Sequence, residues 1–325
     1  MPPNKVTTKE RVSMPTPVPQ RIVPGRVMPR TSNGNLIKTP SVWDEVTPIG
    51  EGRDESLKVL VFGDSGTGKT TFAATFPDPL LWIQCSGSKN PGELKSVDTP
   101  ENANRIRKFT PKPSSGVVAS KKIHDVLDGV VDKGFKTIVL DHLSGLEDII
   151  FCEVVGMDEA PAQKSWGICS QQQWGQIAAQ EKEIVRKMLN LVGVNIVVLT
   201  QERIFKPKEE GESEEGIVTI TESDALGPKI GPGVIPSMAA WLRPALDYAV
   251  QTFKAPRYET VTKSMGEGKQ PIKIQKRLPG VEYRIRVEPH TVIMTKFRIP
   301  ASKNKSLPSY IADPTYAKLV KLIKG

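Results

Sequence analysis

The stretch FGDSGTGKTT, Phe62 to Thr71, carries the residue types that hold a polyphosphate. Its spacing, Gly63-x-x-x-x-Gly68-Lys69-Thr70, is that of a P-loop, and each residue type has a physical reason to stand there. The glycines let the backbone turn tightly, so that N–H groups along Gly63, Asp64, Ser65, Gly66, Thr67, Gly68, Lys69, Thr70 and Thr71 converge on anionic oxygens. A helix beginning near Lys69 adds the positive end of its dipole. The Lys69 ammonium is expected to reach the β- and γ-phosphates, and the Thr70 hydroxyl to ligate Mg²⁺. The pattern therefore predicts ATP with Mg²⁺ as cofactor.

Two further polar residues stand where a nucleotide site needs them. Asp141 closes the apolar run KTIVLD, downstream of the P-loop, where a carboxylate can hold a water on the magnesium as a Walker B acid does. The plain alternative is that Asp141 caps the following helix. His142 beside it reads as structural. Gln201 closes the run VNIVVLTQ at the same sheet edge, where its amide can touch the γ-phosphate or the attacking water, or can be an ordinary polar strand end.

These residues must be positioned by short buried strands alternating with helices. LKVLVF (57–62), LLWIQ, KTIVLD and VNIVVLTQ are apolar runs of strand length, rich in β-formers. KTTFAATF reads as the helix after the P-loop, stopped by PDP at Pro77 to Pro79. KKIHDVLDGVVDKG, GLEDIIFCEVVG and QQWGQIAAQEKEIVRKMLNLVG supply the other helices, the last amphipathic and ended by Gly193. The fold class predicted is α/β, a mainly parallel sheet with helices on both faces. A long connection from Glu202 to about Ile235 contains the acidic run KEEGESEEG. The last third reads as the strands LDYAVQTF, VEYRIRVE and TVIMTKF, followed by the helix PTYAKLVKLIKG.

Residues 1–52 are rich in Pro, Thr, Ser and Val and carry several Lys and Arg, a composition that cannot offset its ordering entropy and predicts a disordered basic tail. One ATP-binding domain is expected over 53–325. The net charge of +9 allows a polyanionic partner or simply a basic surface. Three cysteines, Cys85, Cys152 and Cys169, show no metal-ligand spacing and are too few for a disulfide scaffold, as in a reducing compartment. No apolar run is long enough to span a bilayer and no secretory pattern opens the chain, so no membrane partner and a cytoplasmic location are expected. Most of Trp82, Trp166, Trp174 and Trp241 fall on apolar faces and read as core.

Strand and P-loop, an Asp after a later strand, and LTQ before a long loop together resemble the RecA-like ATPase core shared by recombinases and ring helicases. The chain is most similar to the phage-type AAA/RecA-like nucleotide-binding family that includes single-strand-annealing ATPases. IPSMAAWLRPALDYAVQT and KFRIPASKNKSLPSYIADPTYAKLVKLIKG look like that family's ending. The resemblance implies self-association into a ring or filament with ATP between subunits, and single-stranded DNA as partner. Lys296-x-Arg298 in MTKFR resembles the Lys-x-Arg finger of ring helicases, or is an exposed basic strand end. Lys206, Lys208 and Lys229, in the loop that follows Gln201, stand where recombinases contact single strands, although the acidic run opposes phosphate there.

One departure bears on catalysis. Such hydrolases place a glutamate just after the second strand to orient the attacking water. In this chain the stretch is WIQCSGSKN, with Gln84 and Ser86 where carboxylates are expected, and neither accepts a proton at neutral pH as Glu does. Glu93, Glu147 and Glu202 are the candidates to replace it. Three functions stay open: a DNA-dependent ATPase, an ATP-gated single-strand binding or annealing module with little hydrolysis, and a small-molecule kinase, for which no arginine-bearing lid is identifiable.

Overall fold

The computed structural model describes residues 55–85, 94–113, 116–161, 167–205, 229–263, 272–299 and 307–324. The tail expected over 1–52 lies outside them. The elements begin β1 (Lys58–Gly63), α1 (Lys69–Ala73), β2 (Leu80–Gln84), α2 (Pro100–Ala103), β3 (Ile106–Phe109), α3 (Ala119–Gly129), β4 (Thr137–Asp141), α4 (Leu143–Val155), α5 (Gln171–Leu189) and β5 (Asn195–Phe205). They continue β6 (Lys229–Pro232), α6 (Pro236–Ala245), β7 (Tyr248–Lys263), β8 (Ile272–Arg286), β9 (Lys296–Phe297), β10 (Tyr310–Ala312) and α7 (Tyr316–Lys324).

The main path of the sheet is β10-β8-β7-β1-β5-β4-β2-β3, with β6 paired to β5 and β9 to β7. From β7 to β3 the neighbours are all parallel, and β8, β10, β9 and β6 add antiparallel pairs. This is the α/β class the sequence predicts, a mainly parallel sheet covered on both faces.

Period-two alternation of side chains across a strand sorts the core into two layers. Leu60, Phe62, Ile83, Leu140 and Val198 face one side, where Ile123 of α3, Ile150 of α4, Ile184 of α5 and Leu242 of α6 pack on them. Val59, Val61, Trp82, Val139 and Val197 face the other, under Phe72 of α1 and Leu319 of α7. Each such large side chain contributes about 1.5–3 kcal/mol on burial. α5 presents Ile177, Ile184, Val185 and Met188 inward and begins with a capping box in which Ser170 and Gln173 satisfy each other's backbone N–H.

Parallel registry brings the polar strand ends to one edge. Gly63 of β1 pairs with Gln201 of β5 and with Thr252 of β7, and Gln84 of β2 pairs with Asp141 of β4. Ligands of open α/β sheets sit beyond such carboxyl ends, where the strand order reverses. Here β2, β4 and β5 lie on one side of β1 and β7 on the other.

Several expected boundaries move. The helix predicted as KTTFAATF stops at Ala73, because Thr75 and Phe76 turn back onto the carbonyls of Phe72 and Ala73 before Pro77. β5 continues past Gln201 to Phe205, and Lys229–Pro232 returns along it as β6, so the long connection begins and ends as an antiparallel pair. Residues 206–228 lie outside the described region. The strand expected in TVIMTKF is reduced to Lys296–Phe297, where two residues pair with the start of β7. β7 and β8 outrun their apolar cores and pair with each other as far as Lys263 and Ile272.

Candidate functional site

The P-loop leaves the buried end of β1 and turns through Gly66 (φ 69°) and Gly68 (φ 89°), a left-handed region that glycine enters without Cβ strain. The turn is tied to β7 by hydroxyls. Thr67 donates to the Asp64 carbonyl at 2.7 Å, and its Oγ1 lies 2.6 Å from that of Thr252. The Lys69 ammonium folds back over the turn and donates to the carbonyls of Gly63 and Asp64, both at 2.8 Å. Burial holds the Lys69 pKa below the usual lysine range, opposed by the negative charges of Asp141, Asp64 and Glu202. Of these carboxylates, Asp141 ends β4 and Glu202 follows Gln201 within β5.

Asp141 is buried at the end of β4. The Trp82 indole, fully buried on β2, donates to its Oδ2 at 3.1 Å. This tryptophan is core, as the sequence predicts, and it also orients the acid. Capping of α4 falls to His142, whose Nδ1 accepts from the Gly145 N–H at 2.9 Å, and the residue also lines the cavity beside the P-loop. Gln201 stands at the same edge, its carbonyl accepting from the Gly233 N–H at 2.7 Å.

A cavity of about 820 Å³ joins these groups: Lys69, Thr70, Thr71, Asp141 and Gln201 all line it. Ser65, Gly66 and Gly68 complete the loop side. Further lining comes from residues that carry no motif, Tyr283 of β8 and the turn Asp313, Pro314 and Thr315 before α7. A Cβ on Gly68 would meet the Tyr283 ring at 3.1 Å, and one on Gly66 would meet the Lys254 ammonium at 3.3 Å. The glycines thus let Tyr283 and Lys254 pack close against the loop, and a lysine ammonium, a hydroxyl and a carboxylate line the cavity beside it. That donor set and shape fit a magnesium–nucleotide. Among the described residues no group of three or more His, Cys, Asp or Glu could hold a metal ion.

Other sequence candidates stand elsewhere. Lys296 aligns with Ala249, itself beside Leu60 and three positions short of Gly63, and its ammonium donates to the carbonyls of Arg243, Pro244 and Leu246 at the end of α6. Arg298 pairs with Asp247 at 2.9 Å, just before β7 begins. Neither lines the cavity of its own chain. Glu147 is buried on α4 and accepts from the Ile235 N–H at 3.0 Å, away from the P-loop. Glu202 accepts from Gln251 at 3.1 Å, and its charge is felt at Lys69. Lys229 opens β6 opposite Phe205. Ser86, Glu93, Trp166, Lys206 and Lys208 lie outside the described residues. No helix among the described residues is long and apolar enough to cross a membrane.

The AAA domain family matches residues 55–239, a span that holds the P-loop, Asp141 and Gln201. No curated protein matches the sequence. Among solved structures the chain is similar to the flagellar accessory protein FlaH of Methanocaldococcus jannaschii, at 10% identity and a TM-score of 0.34, over 80% of this chain and 85% of that one. It is similar to a KaiC-like protein of Pyrococcus horikoshii OT3, at 11% identity and a TM-score of 0.35, over 79% of this chain and 88% of that one. It is also similar to the RadB recombinase, at 13% identity and a TM-score of 0.36, over 70% of this chain and 85% of that one.

Proposed function

The chain belongs to the AAA domain family, and from that premise we propose that it is a RecA-like P-loop ATPase acting on single-stranded DNA in phage-type recombination or replication. The observation that carries the nucleotide part is the convergence of Lys69, Thr70, Asp141 and Gln201 on one cavity at the carboxyl edge of the sheet. In this reading the backbone of Gly63–Thr71 and the Lys69 ammonium hold the β- and γ-phosphates. Thr70 and Asp141 would hold Mg²⁺, which would supply charge neutralisation at the phosphate oxygens. Trp82 fixes the Asp141 carboxylate for that role. Gln201 contacts the γ-phosphate end and is coupled through its own carbonyl to β6 and the connection beyond. Glu202, oriented by Gln251, is the carboxylate assigned to accept the proton of the attacking water.

Single-stranded DNA as partner is supported by the net charge of +9 and by the sequence resemblance. Assembly into a ring or filament rests on the resemblance alone, and Lys296 and Arg298 would have to leave their contacts with α6 and Asp247 to act on a neighbour's nucleotide. A second reading, an ATP-gated single-strand binding module with little hydrolysis, is favoured by Gln84. Its amide ends β2 beside Asp141, where a carboxylate would be the base.

Phosphate release from Mg-ATP, with and without single-stranded DNA, separates the two. Turnover accelerated by DNA and abolished in Lys69→Ala supports the ATPase. ATP binding with no phosphate release, and release appearing in Ser86→Glu, supports the gated module. Turnover indifferent to DNA removes DNA from the proposal.

A further inference from the structure

β7 and β8 run on beyond the sheet that holds them. β7 pairs with β1 only as far as Thr252, and β8 pairs with β10 only over Arg284–Arg286. From Phe253 to Lys263 and from Ile272 to Tyr283 the two strands pair, among the described residues, with each other alone. Thr252 is level with Gly63 and Lys263 ends β7, so this ribbon extends past the carboxyl edge of the sheet by roughly 36 Å at ~3.3 Å per residue. Its stem lies against the P-loop. The Thr252 and Thr67 hydroxyl oxygens are 2.6 Å apart, and the Lys254 ammonium stands 3.3 Å from the place of a Gly66 Cβ.

The register shifts between Pro256 and Tyr258, and Arg257 at the shift faces Asp313 at 3.7 Å, which ties the ribbon to the turn before α7. From Tyr258 outward the pairing is regular, and partners in register share a face. One face carries Tyr258 opposite Arg277 and Thr260 opposite Gln275. The other carries Glu259 opposite Lys276 and Val261 opposite Ile274. All of these side chains are exposed, Tyr258 by 52%. By sequence, residues 257–277 hold six Lys or Arg and two Glu, a net +4 within the chain's +9.

A two-stranded ribbon with no core beneath it is marginal by itself in water, so a partner that covers it adds stability. An aromatic ring beside a guanidinium fits an unstacked polynucleotide, whose bases stack on the ring and whose phosphates pair with the fork of N–H donors. In a duplex the bases are already stacked on one another, and the ring would find no free face. We propose that the Tyr258–Arg277 face of the ribbon is a binding surface for single-stranded DNA. Tyr258 stacks on a base, Arg277 pairs with a neighbouring phosphate, Thr260 and Gln275 hydrogen-bond along the strand, and Lys276 adds positive charge at the ribbon's edge. The assignment rests on the reading of single-stranded DNA as partner. It moves the contact from the connection after Gln201, whose acidic run repels phosphate, to a ribbon whose stem lies against the P-loop.

The test is fluorescence anisotropy of the full chain with a labelled oligothymidylate and with a labelled duplex, across a series of salt concentrations. Wild type is expected to bind the single strand more tightly. Tyr258→Ala should weaken the single strand roughly fivefold or more, the size of one base stacked on an aromatic ring, with the salt slope unchanged, while Tyr258→Phe retains affinity. The double variant Lys276→Ala, Arg277→Ala should make the slope of log affinity against log salt shallower by about 1.4, at ~0.7 per phosphate contact on a single strand. ATP titration without DNA should match wild type in every variant. Wild type that binds the single strand, with affinity and slope unmoved by these substitutions, overturns the ribbon and leaves the DNA reading standing. Wild type that binds no DNA overturns both, so the two failures are told apart. Preference for the duplex, with Tyr258→Ala silent, overturns the single-strand assignment. Should Tyr258→Ala fail to fold, Arg277→Gln is read in its place and must lower the slope by about 0.7.

Discussion

Gly63→Ala adds one methyl group where the structure has no room for it. The new Cβ would stand 2.2 Å from Thr252 Oγ1, 2.5 Å from the Thr252 carbonyl oxygen and 3.0 Å from Thr67 Oγ1. The hydroxyls can rotate away, but the carbonyl cannot. Thr252 is the register partner of Gly63 in the parallel β1–β7 pair, and β5 holds β1 from the other side. Opening the contact to an ordinary one therefore moves backbone by several tenths of an ångström against two strand pairings. Overpacking of this kind costs about 1–3 kcal/mol, and for a domain of this size each kcal/mol lowers Tm by about 2–4 °C. The expected fall in Tm is thus roughly 2–12 °C. The same shift displaces the Gly63 carbonyl that anchors Lys69 and the Thr67–Thr252 hydroxyl pair, so ATP affinity should fall by about tenfold or more, the equivalent of ~1.4 kcal/mol. Scanning calorimetry and ATP titration read the two effects. Adding Thr252→Ala removes the 2.2 Å contact and leaves the 2.5 Å one, so the double variant should stay impaired. A Gly63→Ala protein that melts and binds ATP like wild type, or one fully rescued by Thr252→Ala, would refute the steric reasoning.

Trp82→Phe removes the donor to Asp141 Oδ2, and a hydrogen bond to a charged group is worth about 1.5–3 kcal/mol; magnesium titration should show half-saturation moved up roughly tenfold or more, and an unchanged midpoint would deny Trp82 its orienting role. The depressed Lys69 pKa has a signed consequence for stability without nucleotide. Between its folded pKa and the ordinary 10.5 the unfolded chain binds more protons, so this contribution to stability rises with pH through that window. Urea unfolding across alkaline pH should show Lys69→Met lacking that rise, and identical slopes in both proteins would contradict it. Glu202→Gln should lower kcat by about two orders of magnitude, the usual size of general-base loss, with ATP binding retained; an unchanged kcat would place the base elsewhere.

How much was legible in the sequence follows from how local each signal is. The P-loop was readable because its chemistry is written in ten consecutive residues, and Asp141 and Gln201 because buried apolar runs end at them. The Trp82 bond to Asp141 was not, since it joins side chains 59 positions apart and depends on the β2–β4 registry. Tyr283 and Asp313 reach the cavity, and Thr252 the P-loop turn, only through the pairing of β7, β8 and β10, and no motif marks them. The outer halves of β7 and β8 escaped because most of their described side chains are exposed, so no burial pattern distinguishes them from loop. Lys296 shows what spacing alone leaves open. Its spacing from Arg298 suggested a finger, yet three carbonyls at the end of α6 hold its ammonium in this chain.

Equilibrium binding of Mg-ATP to wild type, Lys69→Ala and Asp141→Ala, by isothermal titration calorimetry, tests the central claim most directly. Saturable binding near one ATP per chain, lost in Lys69→Ala and losing its magnesium dependence in Asp141→Ala, is the predicted result. No binding by wild type, or binding that both substitutions leave intact, would contradict the assignment of this cavity to ATP.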